Sequence, residues 1–273
     1  MEHPTTTTVA APPRGWITGL CNCSGRRAPR RPRCSCLSID NVPVHTPDLA
    51  IYSQEEVLAG GGTPSWDSPD IITNDWGPFR LKPEATVKIR NLSPDTPAIN
   101  ALVNYYVAPF GIGTRRQLAV SRKVNVPAAA EITLTFPLDQ ATLKGDPRVG
   151  VFIEIEHPKD DNVLNNRGGQ VHDGAYTSEA GRKHSIQIPV LNDSNFTREI
   201  KLGVFPTDVL ATVTPSTHVF APHEQIVATL HLEVPGFLSG TPASPIERGV
   251  TVAGRLAGGE LVGGVTRLLR IDN

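Results

Sequence analysis

The chain has 273 residues, enough for one large domain or two ordinary ones, and it can bury a core without help from disulfides. Its 24 Gly and 25 Pro, with abundant Val, Ile and Thr, favour short strands joined by turns over long helices. No apolar run reaches the roughly 18 residues of a membrane-spanning helix, so we expect no membrane span.

Charge is unevenly distributed along the chain. The whole chain carries −1, whereas residues 1–36 carry six arginines against Glu2 and sum to +5, which leaves −6 for the rest. A basic arm on an acidic body fits an arm that docks on an acidic partner, including a neighbouring copy of the chain, with a solvated tail as the alternative. No secretory signal is visible at the start, so we expect cytoplasmic synthesis and a place in a cytoplasmic or leaderlessly exported assembly.

Residues 1–46 are predicted to be an arm, because their apolar content is too sparse for a core. All four cysteines lie in one short stretch of it, CNCSGRRAPRRPRCSC. Four thiolates suffice for a tetrahedral zinc site, and a reducing compartment favours zinc over disulfides. The predicted ligands are Cys21, Cys23, Cys34 and Cys36. Two disulfides, nested or exchanged between the pairs, and free thiols are the alternatives.

Between the cysteine pairs lie five arginines that we predict to contact a protein partner: Arg26, Arg27, Arg30, Arg31 and Arg33. Phosphate contacts are the alternative. No aromatic residue interleaves with the arginines, however, and the body of the chain is acidic, so nucleic-acid binding is not supported.

From residue 47 onward, apolar residues occupy alternate positions, which is the period of a strand with one buried face. The predicted strands are EATVKIRNLS, AINALVNYYVAP, AEITLTFPL, RVGVFIEIEHP and KHSIQIPVLN. In the second of them, the alternate residues from Ile99 to Val107 are expected to share the buried face. Strands of this kind, separated by turns, predict a two-sheet antiparallel sandwich over residues 47–191.

The turn cluster LNDSN marks the predicted boundary after residue 191, and a second series of strands fills residues 192–273. No stretch has a 3.6-residue period of helix length. The sequence therefore predicts an all-β protein with two tandem antiparallel immunoglobulin-like β-sandwiches and an extended N-terminal arm. In the first sandwich, residues 158–183 are predicted to be a long loop that forms an interface, with His172 and Tyr176 as its contact residues.

An ordered set of stretches resembles the bacterial immunoglobulin-like domains of the cell-adhesion-related (CARDB-like) kind. The stretches are SPDIITNDW (68–76), VKIRN (87–91), VPAAAEITLTF (126–136), VGVFIEIEHPKDD (149–161) and NVLNN (162–166). The later stretch TPSTHVFAPHEQIVATLHLEVP resembles the small β-sandwiches that often follow such domains. The resemblance implies a spacer, adhesion or assembly module without catalytic residues of its own, and it does not fix a ligand.

Motifs for catalysis do not assemble in the sequence. HEQIV lacks the second His of a zinc-protease motif, and no nucleophile elbow, P-loop or dinucleotide fingerprint occurs. Glu154 and Glu156 fit a solvated sheet face. The Asp- and Asn-rich stretch 160–166 fits turns stabilised by Asx side chains, with a calcium site as the alternative.

The leading hypothesis is therefore a non-enzymatic structural or adaptor protein that mediates protein–protein assembly through its sandwiches and its cross-linked arm. The alternative is an exported adhesion module that binds carbohydrate or a surface protein through residues 158–183 and carries a disulfide-bonded arm. A metal-dependent enzyme built on His157, His172 and His184 is the third hypothesis.

Zinc content and free thiols, measured together on natively purified and then denatured protein, test the cysteine cluster. We expect about one zinc per chain and four reactive thiols, because four thiolates complete the tetrahedral coordination shell. A protein with no metal and no reactive thiols would contain two disulfides and would support the exported module. Four free thiols without metal would contradict both kinds of cross-link.

Overall fold

The computed structural model describes residues 45–74, 81–138, 148–171, 175–205 and 207–272. The four cysteines, the five arginines of the arm and His172 lie outside the described residues, so the zinc prediction stays a prediction. Residues 44–273 form one compact unit.

This part of the chain is built almost entirely from β-strands, which confirms the predicted all-β class. The strands are β1 (Leu49–Ala50), β2 (Ile71–Asn74), β3 (Leu81–Asn91), β4 (Ala98–Pro109), β5 (Gln117–Val126), β6 (Ala130–Pro137), β7 (Val149–Glu156), β8 (Arg167–Val171), β9 (Ala175–Ser178), β10 (Lys183–Leu191), β11 (Arg198–Val204), β12 (Leu210–Thr214), β13 (Thr217–Phe220), β14 (Gln225–Glu233), β15 (Ile246–Leu256) and β16 (Leu261–Ile271). One short helix, α1 (Gln54–Ala59), is present among the described residues, and the Ser53 side chain caps it by accepting a hydrogen bond from the Glu56 N–H.

These strands form four sheets. In the first, β3 pairs with β1, β2 and β6, and in the second the order is β5-β4-β7-β8. The third sheet has the order β10-β14-β12, and the fourth has the order β13-β11-β15-β16-β9. The ladders between neighbouring strands are antiparallel, except that β9 runs parallel to β16.

The first two sheets enclose a hydrophobic cluster to which β3, β4 and β7 contribute most. The alternation predicted in β3 is confirmed, since Ala85, Val87 and Ile89 are fully buried. Ile99 differs from the prediction and is 52% exposed. The cause is a bulge in β4 between Ala98 and Ala101, which shifts the register of the strand by one side chain.

The last two sheets enclose a second cluster, and here the structure corrects two expectations. Strand β10, assigned by the predicted boundary to the first sandwich, pairs along its length with β14, and Ile188 and Val190 are buried in this second cluster. Residues 158–183 are not one long loop, because they contain β8, which pairs with β7, and β9, which pairs with β16. The division into two separate domains stays a prediction.

Trp66 joins the N-terminal strands to the second cluster. It is 2% exposed, and it packs there with Phe152 and Val171. Its backbone N–H donates to Thr266 Oγ1 at 2.7 Å, and its carbonyl accepts from the Val171 N–H at 2.7 Å. The ring lies directly over Gly264 of β16, where no side chain could fit.

Adding a methyl group under this ring should destabilise the protein. In Gly264→Ala the new Cβ would overlap the Trp66 ring, and overpacking of this kind costs about 1–3 kcal/mol. Gly203→Ala in β11 is the matched control, because a Cβ there meets no atom within 4 Å. Chemical denaturation of both variants measures the difference, and equal midpoints would contradict the tight contact.

Candidate partner-binding cleft

Tyr176 is the one predicted partner-contact residue that falls within the described residues. It lies on β9, at the edge of the fourth sheet, and is 37% exposed. The guanidinium carbon of Arg267 lies 2.9 Å from the centre of its ring. Tyr176 is therefore held by a neighbouring strand through a cation–π contact, and part of its ring faces solvent.

His184 also contacts β9, the strand that carries Tyr176. It is half-buried on β10, and its Nε2 is 2.7 Å from Ser178 Oγ on β9. Burial lowers the pKa of His184, and the charges of Arg267 and Arg182 lower that pKa further. On β10, His184 continues the row of Ile186 and Ile188, whose side chains are buried.

A larger feature is an open cleft at the end of the second sheet, where β4 and β7 meet the turn that follows β7. Its volume is about 550 Å³. Residues that line it include Asn100, Leu102, Glu156, His157, Asp160 and Val163. We call this feature the β4–β7 cleft.

The bulged backbone of β4 shapes one wall of the β4–β7 cleft. Asn100 has a φ of 58°, a left-handed conformation that Asn tolerates better than most residues, and its N–H donates to Asn125 Oδ1 at 2.8 Å. This is the bulge that turns Ile99 outward. Leu102 and the 67%-exposed Val163 give the cleft apolar surface.

Three carboxylates line the cleft, those of Glu154, Glu156 and Asp160. One guanidinium, that of Arg167, lines it as well. Glu154 is already paired, because Arg116 Nη1 lies 3.5 Å and Arg167 Nε 3.9 Å from its Oε1. Glu156 is exposed and accepts a hydrogen bond from Asn104 Nδ2 at 2.8 Å. In the described part of the chain, no Lys, Arg or His forms an ion pair with Glu156.

Asp160 is half-buried and belongs to a hydrogen-bonded Asx turn. Its Oδ2 accepts from the Leu49 N–H at 2.9 Å, and its Oδ1 accepts from the Asn162 N–H at 3.2 Å. Burial raises the pKa of Asp160, although these hydrogen bonds oppose the rise. Nearby, Asn165 Nδ2 donates to Asp48 Oδ1 at 2.9 Å. The Asx-rich stretch therefore ties β1 to the turn after β7.

The two described residues of the metal-dependent enzyme hypothesis, His157 and His184, belong to different sheets. His157 follows β7 in the second sheet, whereas His184 lies on β10 in the third sheet. Among the residues that the structure describes, no group of three or more His, Cys, Asp and Glu is arranged to hold a metal ion. Within the same residues, no helix is long and apolar enough to cross a membrane.

Sequence reasoning had identified Glu154, Glu156 and the Asx stretch as surface features but had not joined them into a cleft. Asn100 and Leu102 were missed, because alternation alone assigned their strand a regular register. The signal available in the sequence was Asn100 itself, a residue that is depleted in strands and enriched at left-handed backbone positions.

Comparison with known proteins does not place the chain in a family. No family model matches it, and it matches no curated protein. Among solved structures, it is similar to an Escherichia coli alpha-2-macroglobulin activated by porcine elastase, with 10% identity, a TM-score of 0.29 and 84% of this chain covered. The chain spans 22% of the length of that protein.

Two further solved structures show weak similarity. One is a protein of unknown function from Porphyromonas gingivalis W83, with 11% identity, a TM-score of 0.23, and 70% of this chain and 91% of that chain covered. The other is the Vibrio cholerae VesB protease, with 13% identity, a TM-score of 0.24 and 68% of each chain covered. TM-scores this low carry no argument about function, and the CARDB-like resemblance stays a prediction.

Protonation of His184 should make the protein less stable in mild acid. Its pKa is lowered from 6.5 in the folded state, so the unfolded chain takes up the proton first, and stability is lost as the pH falls from about 6.5 through the folded pKa. In His184→Gln, thermal unfolding should depend less on pH in this window. His231→Gln, which changes an exposed histidine on β14, is the control and should keep the wild-type slope.

Proposed function

We propose that the protein is a non-enzymatic structural or adaptor protein that mediates protein–protein assembly, with other subunits or further copies of itself as partners. The observation that carries the proposal is the contrast between the two edges of the β5-β4-β7-β8 sheet. One edge is covered by the chain itself, and the other edge, in the described part of the chain, is open. An open strand edge is a ready template for pairing with another chain.

The covered edge is β8. The Gln54 side chain pairs with the backbone of Gly169 in both directions, donating to its carbonyl at 2.7 Å and accepting from its N–H at 3.1 Å. Two residues further along, the Val171 N–H donates to the Trp66 carbonyl. Gln54 is 5% exposed, so these bonds are buried and block the addition of a strand at β8.

The open edge is β5. This strand has ten residues and pairs with β4 alone among the described strands. Most of its side chains are exposed, including Leu118 at 52%. Soluble proteins shield long edges with charges, and here Arg122 and Lys123 occupy only the middle of the strand. The N-terminal half of β5 therefore has the length and exposed apolar surface that strand addition requires.

In this proposal the arm adds a second contact. Its cysteines, cross-linked through zinc, would order the arginine-bearing segment, and two linked contacts raise the apparent affinity of an assembly well above that of either contact alone. The charge split between arm and body supports this role for the arm, because a basic arm is complementary to an acidic body.

A charge on the open edge should weaken assembly. For the full-length chain, we expect sedimentation velocity to show association that increases with concentration, and we expect Leu118→Lys to reduce it by about tenfold in association constant, because a lysine blunts an edge strand. Leu92→Lys is the matched control, since Leu92 is 53% exposed, directly follows β3 and is not part of the β5 edge.

Three outcomes decide the proposal. Loss of association in Leu118→Lys with retention in Leu92→Lys supports assembly at β5. Equal association in both variants would contradict the β5 edge as the contact surface. A wild-type chain that stays monomeric at all concentrations, in reducing buffer with zinc, would overturn self-assembly.

A further inference from the structure

We propose that the β4–β7 cleft is the receptor for the arginine-bearing segment, residues 24–33, of a second copy of the chain. The inference rests on the proposed assembly function and names the partner of one surface. Three observations support the inference: the opposite charges of the cleft and the segment, the apolar surface of each, and the open shape of the cleft.

Charge complementarity is the first property. The segment SGRRAPRRPR carries five arginines and no acid. The cleft presents Glu156 and Asp160, which form no ion pair with the described residues, while Glu154 already holds Arg116 and Arg167. Arginine is the side chain best suited to them, because its planar guanidinium binds a carboxylate through two parallel hydrogen bonds.

The burial of Asp160 and the exposure of Glu156 add to the charge complementarity. Asp160 is partly desolvated, and burial raises its pKa, so a cation brought next to it relieves an unfavourable charge. Glu156 stands at the exposed rim, where it would steer an incoming guanidinium. The two carboxylates therefore provide one half-buried site and one exposed site for two arginines of the same segment.

The apolar surface of the cleft fits the rest of the segment. Leu102, Ile155 and Val163 line it together with the carboxylates. The segment has an alanine and two prolines between its arginines, so a chain lying in the cleft would place small apolar residues against this surface. The residue before each proline is restricted to extended conformations, which lowers the entropy lost on binding in an open groove.

Fluorescence anisotropy with a labelled synthetic peptide of residues 24–33 tests the inference. The receptor is the full-length chain with its five arm arginines changed to glutamine, so that its own arm does not compete. We expect saturable binding that weakens with added salt. Glu156→Gln should weaken binding several-fold, and the further change Asp160→Asn should bring the loss to roughly tenfold or more.

The single variant keeps the test valid if Asp160→Asn fails to fold, because Glu156 is exposed and glutamine can still accept the hydrogen bond from Asn104. Glu199→Gln is the matched control, since it removes an acid from the fourth sheet and leaves the cleft intact. A second peptide, with glutamine at all five arginine positions, controls for binding to the backbone.

The outcomes separate this inference from the proposed function. Binding that is weakened in Glu156→Gln and unchanged in Glu199→Gln supports the cleft. Equal binding by all variants, equal binding of the glutamine peptide, or no binding at all would overturn it, even if sedimentation still shows association through β5. Conversely, peptide binding in the cleft together with equal association of Leu118→Lys and Leu92→Lys would overturn the β5 edge alone, and a chain that never associates would overturn both.

Discussion

The contact between Trp66 and the backbone around Gly264 is the constraint on which the rest of the described structure depends. A buried tryptophan removes some 150–250 Å² of surface from water, and this one does so at the place where the N-terminal strands meet the second cluster. The backbone N–H of Trp66 donates to Thr266 Oγ1, and its backbone carbonyl accepts from the Val171 N–H. These two bonds fix both the position and the orientation of the residue. The covered edge at β8, and with it the asymmetry of the sheet, follows from this placement.

Polar side chains also stabilise the structure, through hydrogen bonds and ion pairs with residues distant in the sequence. Asp70 is 1% exposed, forms a two-pronged ion pair with Arg90 and accepts from the Tyr52 N–H at 2.6 Å. Asp160 and Asn165 hold the start of β1 in the same way. Each of these positions therefore satisfies buried backbone or side-chain groups.

The parts of the fold that could be predicted are those encoded by alternation, such as the buried faces of β3, β7 and β14. Alternation says which residues of a strand are buried but not which sheet the strand joins, and β10 was misplaced for that reason. Strand β8 was missed because Gly168 and Gly169 suggest a loop. In the structure these glycines let Tyr52 and Phe152 approach more closely than a side chain would allow. The cleft was missed because the alternation of apolar residues in β4 gives no sign of the bulge.

The parallel pairing of β9 with β16 has a consequence for the order in which the protein folds. Leu268 to Ile271 pair with Ala175 to Ser178, so most of the strands of the second cluster lie between the two partners in the sequence. Pairings of such long sequence separation slow folding. Until β9 pairs, this edge of β16 is open, and an unpaired strand edge of a folding intermediate is prone to aggregation.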